Sequence, residues 1–214
     1  MSAALSRFRP GRRVFLAALL LCGLFAAPLP AAEAPDDSLA GPALLSALRA
    51  GGLIIYFRHT STDFGQNDDQ MSGYEDCARQ RNLTSRGRDE ARAIGAAIQR
   101  LHIPVGEVLA SPFCRTRETA QLIFGRARVE AAVRGGPASD DGSDRYAALR
   151  RLLSAAPASG TVLAIASHGN PFRAVAGTPY LAEGEAAVVR PLGERGFRVI
   201  ARIPKDGWSA LETP

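Results

Sequence analysis

Residues 53–60 read Leu53-Ile54-Ile55-Tyr56-Phe57-Arg58-His59-Thr60, an unbroken β-prone apolar run that ends in a cation and an imidazole. A short run without polar alternation predicts a strand buried on both faces, as in a parallel sheet covered by helices. The pattern returns at Thr161-Val162-Leu163-Ala164-Ile165-Ala166, followed by Ser167-His168-Gly169-Asn170. A third strand, Val105 to Ala110, leads into Ser111-Pro112-Phe113-Cys114-Arg115.

Helical spacing fills the intervals. Leu44, Leu45 and Leu48 mark a helix over Leu39 to Arg49, and Gly51-Gly52 ends it. Ala91, Ile94, Ile98 and Leu101 mark another over Thr84 to Leu101, with Thr84 or Ser85 as N-cap. Arg115 to Phe124, closed by Gly125, and Asp144 to Leu153, with Tyr146, Leu149 and Leu153 on one face, predict two more. Asn170-Pro171 suits an N-cap and first helical position. Val129 to Val133 reads as a strand, and Ala186 to Pro191 with Phe197 to Arg202 as a terminal hairpin turning through Gly193 to Gly196. The alternation implies an α/β three-layer sandwich with a mostly parallel central sheet flanked by helices. Residues 60–82 are polar and aperiodic, a long loop of the kind that carries function.

The 214 residues carry 26 basic and 21 acidic side chains, a formal charge of +5 that would suit nucleic acid or a membrane surface. The excess is local. Arg7, Arg9, Arg12 and Arg13 precede residue 32 in a stretch without acidic residues, so the chain from Glu33 onward is nearly neutral. With no basic run and few interleaved aromatics, nucleic acid is not the expected partner. A basic region, an apolar run from Val14 to Ala27 and the small-residue segment Leu29 to Ala34 have the form of a secretory signal over residues 1–32. Arg12-Arg13-Val14-Phe15-Leu16 resembles a twin-arginine export signal. The apolar run falls short of the roughly 20 residues of a membrane span, which leaves an uncleaved anchor as the alternative. The expectation is an exported, periplasmic or secreted protein, with residues 33–214 as a single domain and no stable membrane span.

Cys22 would leave with the signal. The remaining pair, Cys77 and Cys114, in an oxidising compartment predicts one disulfide closing a loop of about 37 residues, with two buried thiols as the alternative. With no CxxC and only three histidines, the sequence suggests no metal site and no cofactor.

Ligands of open α/β sheets collect beyond the carboxyl ends of the strands. There the sequence places His59 and His168, with Arg58 and Arg115 beside them. This set suits phosphoryl transfer. A neutral imidazole can attack phosphorus, guanidinium forks match the equatorial oxygens, and a second imidazole and a helix start add donors. His102, at a helix end beside Ile103-Pro104, reads instead as a C-terminal cap. Arg117 reads as solvated or paired with Glu118. Asp76 to Arg81 reads equally as lining the mouth of the site and as ordering the loop through Cys77.

Arg58-His59 after an apolar strand, Ser111-Pro112 with Arg115 and Thr119-Ala120, and Ser167-His168-Gly169 together resemble, in order, the signatures of the histidine phosphatase superfamily, the phosphoglycerate mutase-like group. The resemblance spans about residues 50 to 203, and the compact size is similar to that of small bacterial members. It implies that His59 is the nucleophile, that Arg58 and Arg115 clamp phosphate, and that His168 is a second phosphate-pocket histidine. It further implies a phosphatase acting on small phosphorylated substrates or a phosphoprotein, including phosphohistidine, with a non-catalytic phosphate-binding module as the alternative. Two departures stand out. Thr60 occupies a position usually held by Gly, where it is expected to narrow the approach to phosphate. The general acid usual after the strand at Val129 has no clear counterpart, so Glu130 and Asp63, with Asp140 or Asp141, are the candidates.

Overall fold

The computed structural model describes residues 38–134 and 144–213. The expected signal over residues 1–32, and Asp140 and Asp141, lie outside the described residues.

The strand that opens the sequence reading is β1, Ile54–Arg58, at the middle of a six-stranded sheet. It pairs in parallel with β4, Val162–Ser167, and antiparallel with β5, Ala186–Pro191. Beyond β4 come β2, Val105–Ala110, and the two-residue β3, Arg128–Val129, both parallel; beyond β5 comes β6, Phe197–Ile203, antiparallel. The order is β3-β2-β4-β1-β5-β6, so the sheet is mostly parallel with the expected hairpin as its antiparallel edge.

The alternation of β1 divides the core into two. Ile55 and Phe57 face a layer built by α1, Gly41–Ala50, and α2, Ser85–Arg100, with Trp208 and Leu211 completing it. Ile54 and Tyr56 face the opposite layer, where α4, Ala147–Ser154, and α5, Gly169–Ala176, supply Leu149, Leu153 and Phe172. Both sides of β1 are dry, which is why its sequence lacks a polar face. On β4, the small side chains Ala164 and Ala166 leave room for Ala120 of α3, Cys114–Phe124. Gly95 of α2 meets the backbone of Ile123 so closely that a Cβ would overlap it, and this contact fixes the helix that carries Arg115.

Four readings need correction. The strand expected over Val129 to Val133 stops at Val129, because the Glu130 carboxylate accepts the Ala132 N–H and turns the chain into a single 3-10 turn that buries Val133. The helix expected from Asp144 begins at Ala147, since the Asp144 carboxylate first accepts the Tyr146 N–H in a turn. Helix α5 starts at Gly169 with His168 as its N-cap, so Asn170-Pro171 lies inside the first turn. Arg117 pairs with Glu75 at 2.7 Å, while Glu118 is taken by Arg88 at 2.6 Å. His102 does follow the end of α2, with a left-handed φ of 51°. No helix among the described residues is long and apolar enough to cross a membrane.

Cys77 and Cys114 form a disulfide, with Cα atoms 5.7 Å apart and a sequence separation of 37. It fastens the loop after β1 to the first residue of α3. Gln80 reinforces the joint by accepting the Cys114 N–H at 2.9 Å and donating to the Tyr74 carbonyl at 3.0 Å. Replacing both cysteines by alanine is expected to lower the unfolding free energy by about 3 to 4 kcal/mol, the closure entropy of a loop of this size. Urea denaturation of the oxidised protein and the double variant measures it; unchanged midpoints would show that the loop is held by its other contacts alone.

Candidate active site

Parallel pairing brings three strand ends to one edge. Arg58 stands opposite Ser167 across β1 and β4, and Ala110 opposite Ala166 across β2 and β4. One step further, the His59 N–H donates to the Ser167 carbonyl and the Ser111 N–H to the Ala166 carbonyl, both at 2.9 Å. The rings of His59 and His168 consequently lie 5.6 Å apart, edge to face. A cavity of about 740 Å³ opens over them.

His59 is 1% exposed. Burial, with the charges of Arg115, Arg58 and Arg81 nearby, drives its pKa down to about 3, so the ring is neutral. Its Nδ1 lies 3.0 Å from the Thr60 carbonyl, an acceptor only, so Nδ1 carries the proton and the lone pair resides on Nε2. The Thr60 side chain turns away from the cavity onto Thr119, with the hydroxyls 3.4 Å apart and the Thr60 N–H donating to the same hydroxyl. Thr60 is not among the residues that line the cavity.

Arg58 and Arg115 reach the cavity as expected, joined by Arg81 from the loop. The segment Asp76 to Arg81 therefore does both jobs: Cys77 and Gln80 order the loop, and Arg81 lines the site. Arg58 donates to the Leu181 carbonyl at 2.9 Å, and Arg115 to Asp68 at 3.0 Å while it stacks over Phe113. The Nε atoms of Arg58, Arg81 and Arg115 are all buried and meet no partner in the protein. Among the described residues the only other such atom is Trp208 Nε1. Three arginines lining one cavity make it a site for an anion.

His168 has Nε2 2.8 Å from Ser111 Oγ, which leaves Nδ1 for the cavity. Burial, then the charge of Arg115, holds it well below the ordinary histidine range. Behind it, Tyr56 Oη lies 2.9 Å from the His168 carbonyl and 2.8 Å from Ser167 Oγ, and Ser167 donates to the Val133 carbonyl. The Tyr180 ring lies across Gly169 where a Cβ would stand, with the Tyr180 hydroxyl donating to Asn170 at 2.8 Å.

Of the general-acid candidates, the two among the described residues, Glu130 and Asp63, are not brought to this cavity. Glu130 caps its own turn and pairs with Arg128 at 3.0 Å, and these two contacts lower its pKa, the opposite of what an acid needs. Asp63 is exposed and accepts the Gly65 N–H at 2.8 Å. The nearest carboxylate, missed in the sequence, is Glu183. It accepts from the Thr62 hydroxyl at 2.6 Å, pairs with Arg58 at 3.4 Å and stands 3.9 Å from His59 Nδ1. No carboxylate among the described residues lines the cavity, and none of them form a group of metal-binding side chains.

Residues 54–136 match the family profile described as the Histidine phosphatase superfamily (branch 1). No curated protein matches the sequence. Among solved structures, the protein histidine phosphatase SixA complexed with tungstate is 20% identical with a TM-score of 0.50, over 72% of this chain and 97% of its own. A phosphoserine phosphatase variant from Entamoeba histolytica, in complex with phosphoserine, is 12% identical with a TM-score of 0.50, over 72% and 98%. The chain shares their α/β fold.

Burying two neutral histidines links stability to pH. The unfolded chain binds protons near the ordinary histidine pKa of about 6.5 while the folded chain does not, so stability is full above that pH and falls as pH drops below it. Between pH 6.5 and 5 (roughly), before carboxylates titrate, chemical denaturation should show a steady decline. A double variant, His59→Asn with His168→Asn, should flatten it; an unaltered slope would place the protons elsewhere.

Proposed function

We propose that the chain is a histidine phosphatase that hydrolyses phosphomonoesters, or phosphohistidine, through a phosphohistidine intermediate on His59. The observation that carries this reading is the neutral His59, its Nδ1 proton tied to Thr60, in a cavity lined by Arg58, Arg81 and Arg115. The match of residues 54–136 to the superfamily supports it.

In the proposed reaction the arginines hold the equatorial oxygens of the phosphoryl group, and His168 Nδ1 donates to a further oxygen. The Nε2 lone pair of His59 forms the N–P bond as the bond to the leaving group breaks. The Thr60 carbonyl keeps the Nδ1 proton and steadies the charge that develops on the ring. Water then attacks phosphorus, the N–P bond breaks, and the proton of the water leaves with phosphate or solvent. Approach of the dianion offsets the arginine charges that hold His168 neutral, which favours its donor form.

Glu130 and Asp63 are each engaged with their own backbone, which favours leaving groups that need little protonation, such as aryl oxides or imidazole. The same observation favours a second reading, a phosphate-binding module without turnover. Export through residues 1–32 belongs to the proposal, and the disulfide is consistent with an oxidising compartment.

Phosphate release from 4-nitrophenyl phosphate, in the presence of chelator, tests it. Turnover that disappears in His59→Ala, with an acid-labile phosphoenzyme trapped in the unaltered protein, is the expected result. Turnover retained in the variant would reject His59 as nucleophile. An inactive protein that still binds phosphate would favour the binding module.

A further inference from the structure

The cavity holds more positive charge than one phosphate uses. Besides the inner arginines, Arg134, Arg145 and Arg173 line it, from the turn after β3, the approach to α4 and the body of α5. The six guanidiniums share a wall that includes no carboxylate among the described residues. Asp68 and Glu183 balance Arg115 and Arg58 from behind, but both are directed at the inner set.

The outer guanidiniums are positioned by aromatic rings. Arg134 lies over Tyr74 with its guanidinium donating to the Tyr74 hydroxyl, and Arg145 lies 4.6 Å over the ring of Tyr146. Stacking orients a guanidinium without neutralising it, so its donors remain competent for an anion. A phosphoryl group seated on the inner arginines would carry its substituent outward, past Tyr146 and Tyr180, which also line the cavity. Like charges gathered in one cavity repel one another, and a second anion there removes that repulsion.

We infer that the outer arginines form a second phosphate subsite and that the preferred substrate is a small molecule bearing two phosphates, one presented to His59 and the other to Arg134, Arg145 and Arg173. The inference rests on the phosphatase reading for the identity of the inner anion. It goes beyond that reading in naming the rest of the substrate.

Binding without turnover separates the two. Full-length protein with His59→Ala is titrated calorimetrically with butyl phosphate and with butane-1,4-diyl bisphosphate. The bisphosphate should bind about tenfold more tightly or better, the gain of one charge-assisted contact. Adding Arg145→Gln and Arg173→Gln should bring the ratio of the two affinities near one, whereas Arg92→Gln, on the exposed face of α2, should preserve it. Both arginines are exposed, and thermal unfolding confirms that the variants fold. Equal affinities in the parent overturn the second subsite and leave the inner one standing. A preference that survives the double substitution overturns the assignment to these arginines. Failure of both ligands to bind defeats the phosphate-pocket reading itself, and the inference with it.

Discussion

The parallel register of β1 against β4 is the constraint on which the site depends. Because Arg58 lies opposite Ser167, the residues that follow, His59 and His168, leave the sheet side by side. Slipping that pairing by one residue would exchange the two faces of β1 and send Ile55 and Phe57 into the layer built for Ile54 and Tyr56. The two cores, each shaped by its own helices, therefore hold the histidines in place from below. Packing and chemistry are specified by the same few residues.

The cavity works against the stability of its own surroundings. Each buried guanidinium Nε without a partner costs about 1 to 3 kcal/mol, and three are gathered within reach of two rings that burial keeps neutral. The compensations lie behind the cavity wall: Asp68 on Arg115, Glu183 on Arg58, and the Phe113 and Phe64 rings under Arg115 and Arg81. They orient the cations that line the cavity. Such an arrangement is preorganised, so an arriving anion meets dipoles and charges that need not move.

Strands and their ends were readable in the sequence because burial on both faces erases alternation, and because parallel topology brings the carboxyl ends together. His59, His168, Arg58 and Arg115 follow from that alone. What lay beyond it depends on direction rather than position. Glu130 is close along the chain but aims at its own backbone, and Thr60 sits beside His59 but turns onto Thr119. Conversely, Glu183 and Tyr180 come from the segment between α5 and β5, which has no periodicity to mark it, and reach the site only because β5 pairs with β1. Arg134, Arg145 and Arg173 are scattered among ordinary surface arginines in a chain rich in them. Convergence of side chains from three elements leaves no local signature.

The Cys77–Cys114 bond makes a ring of the covalent chain, and α2 and β2 lie within it. Arg81 is thus joined to Arg115 by two separate paths, one through the backbone and one through the sulfurs. A protease that cut a single peptide bond anywhere between these cysteines would open the ring without dividing the molecule. Such redundancy means that one nick leaves Arg81 and Arg115, two of the arginines that line the cavity, on a single connected polymer.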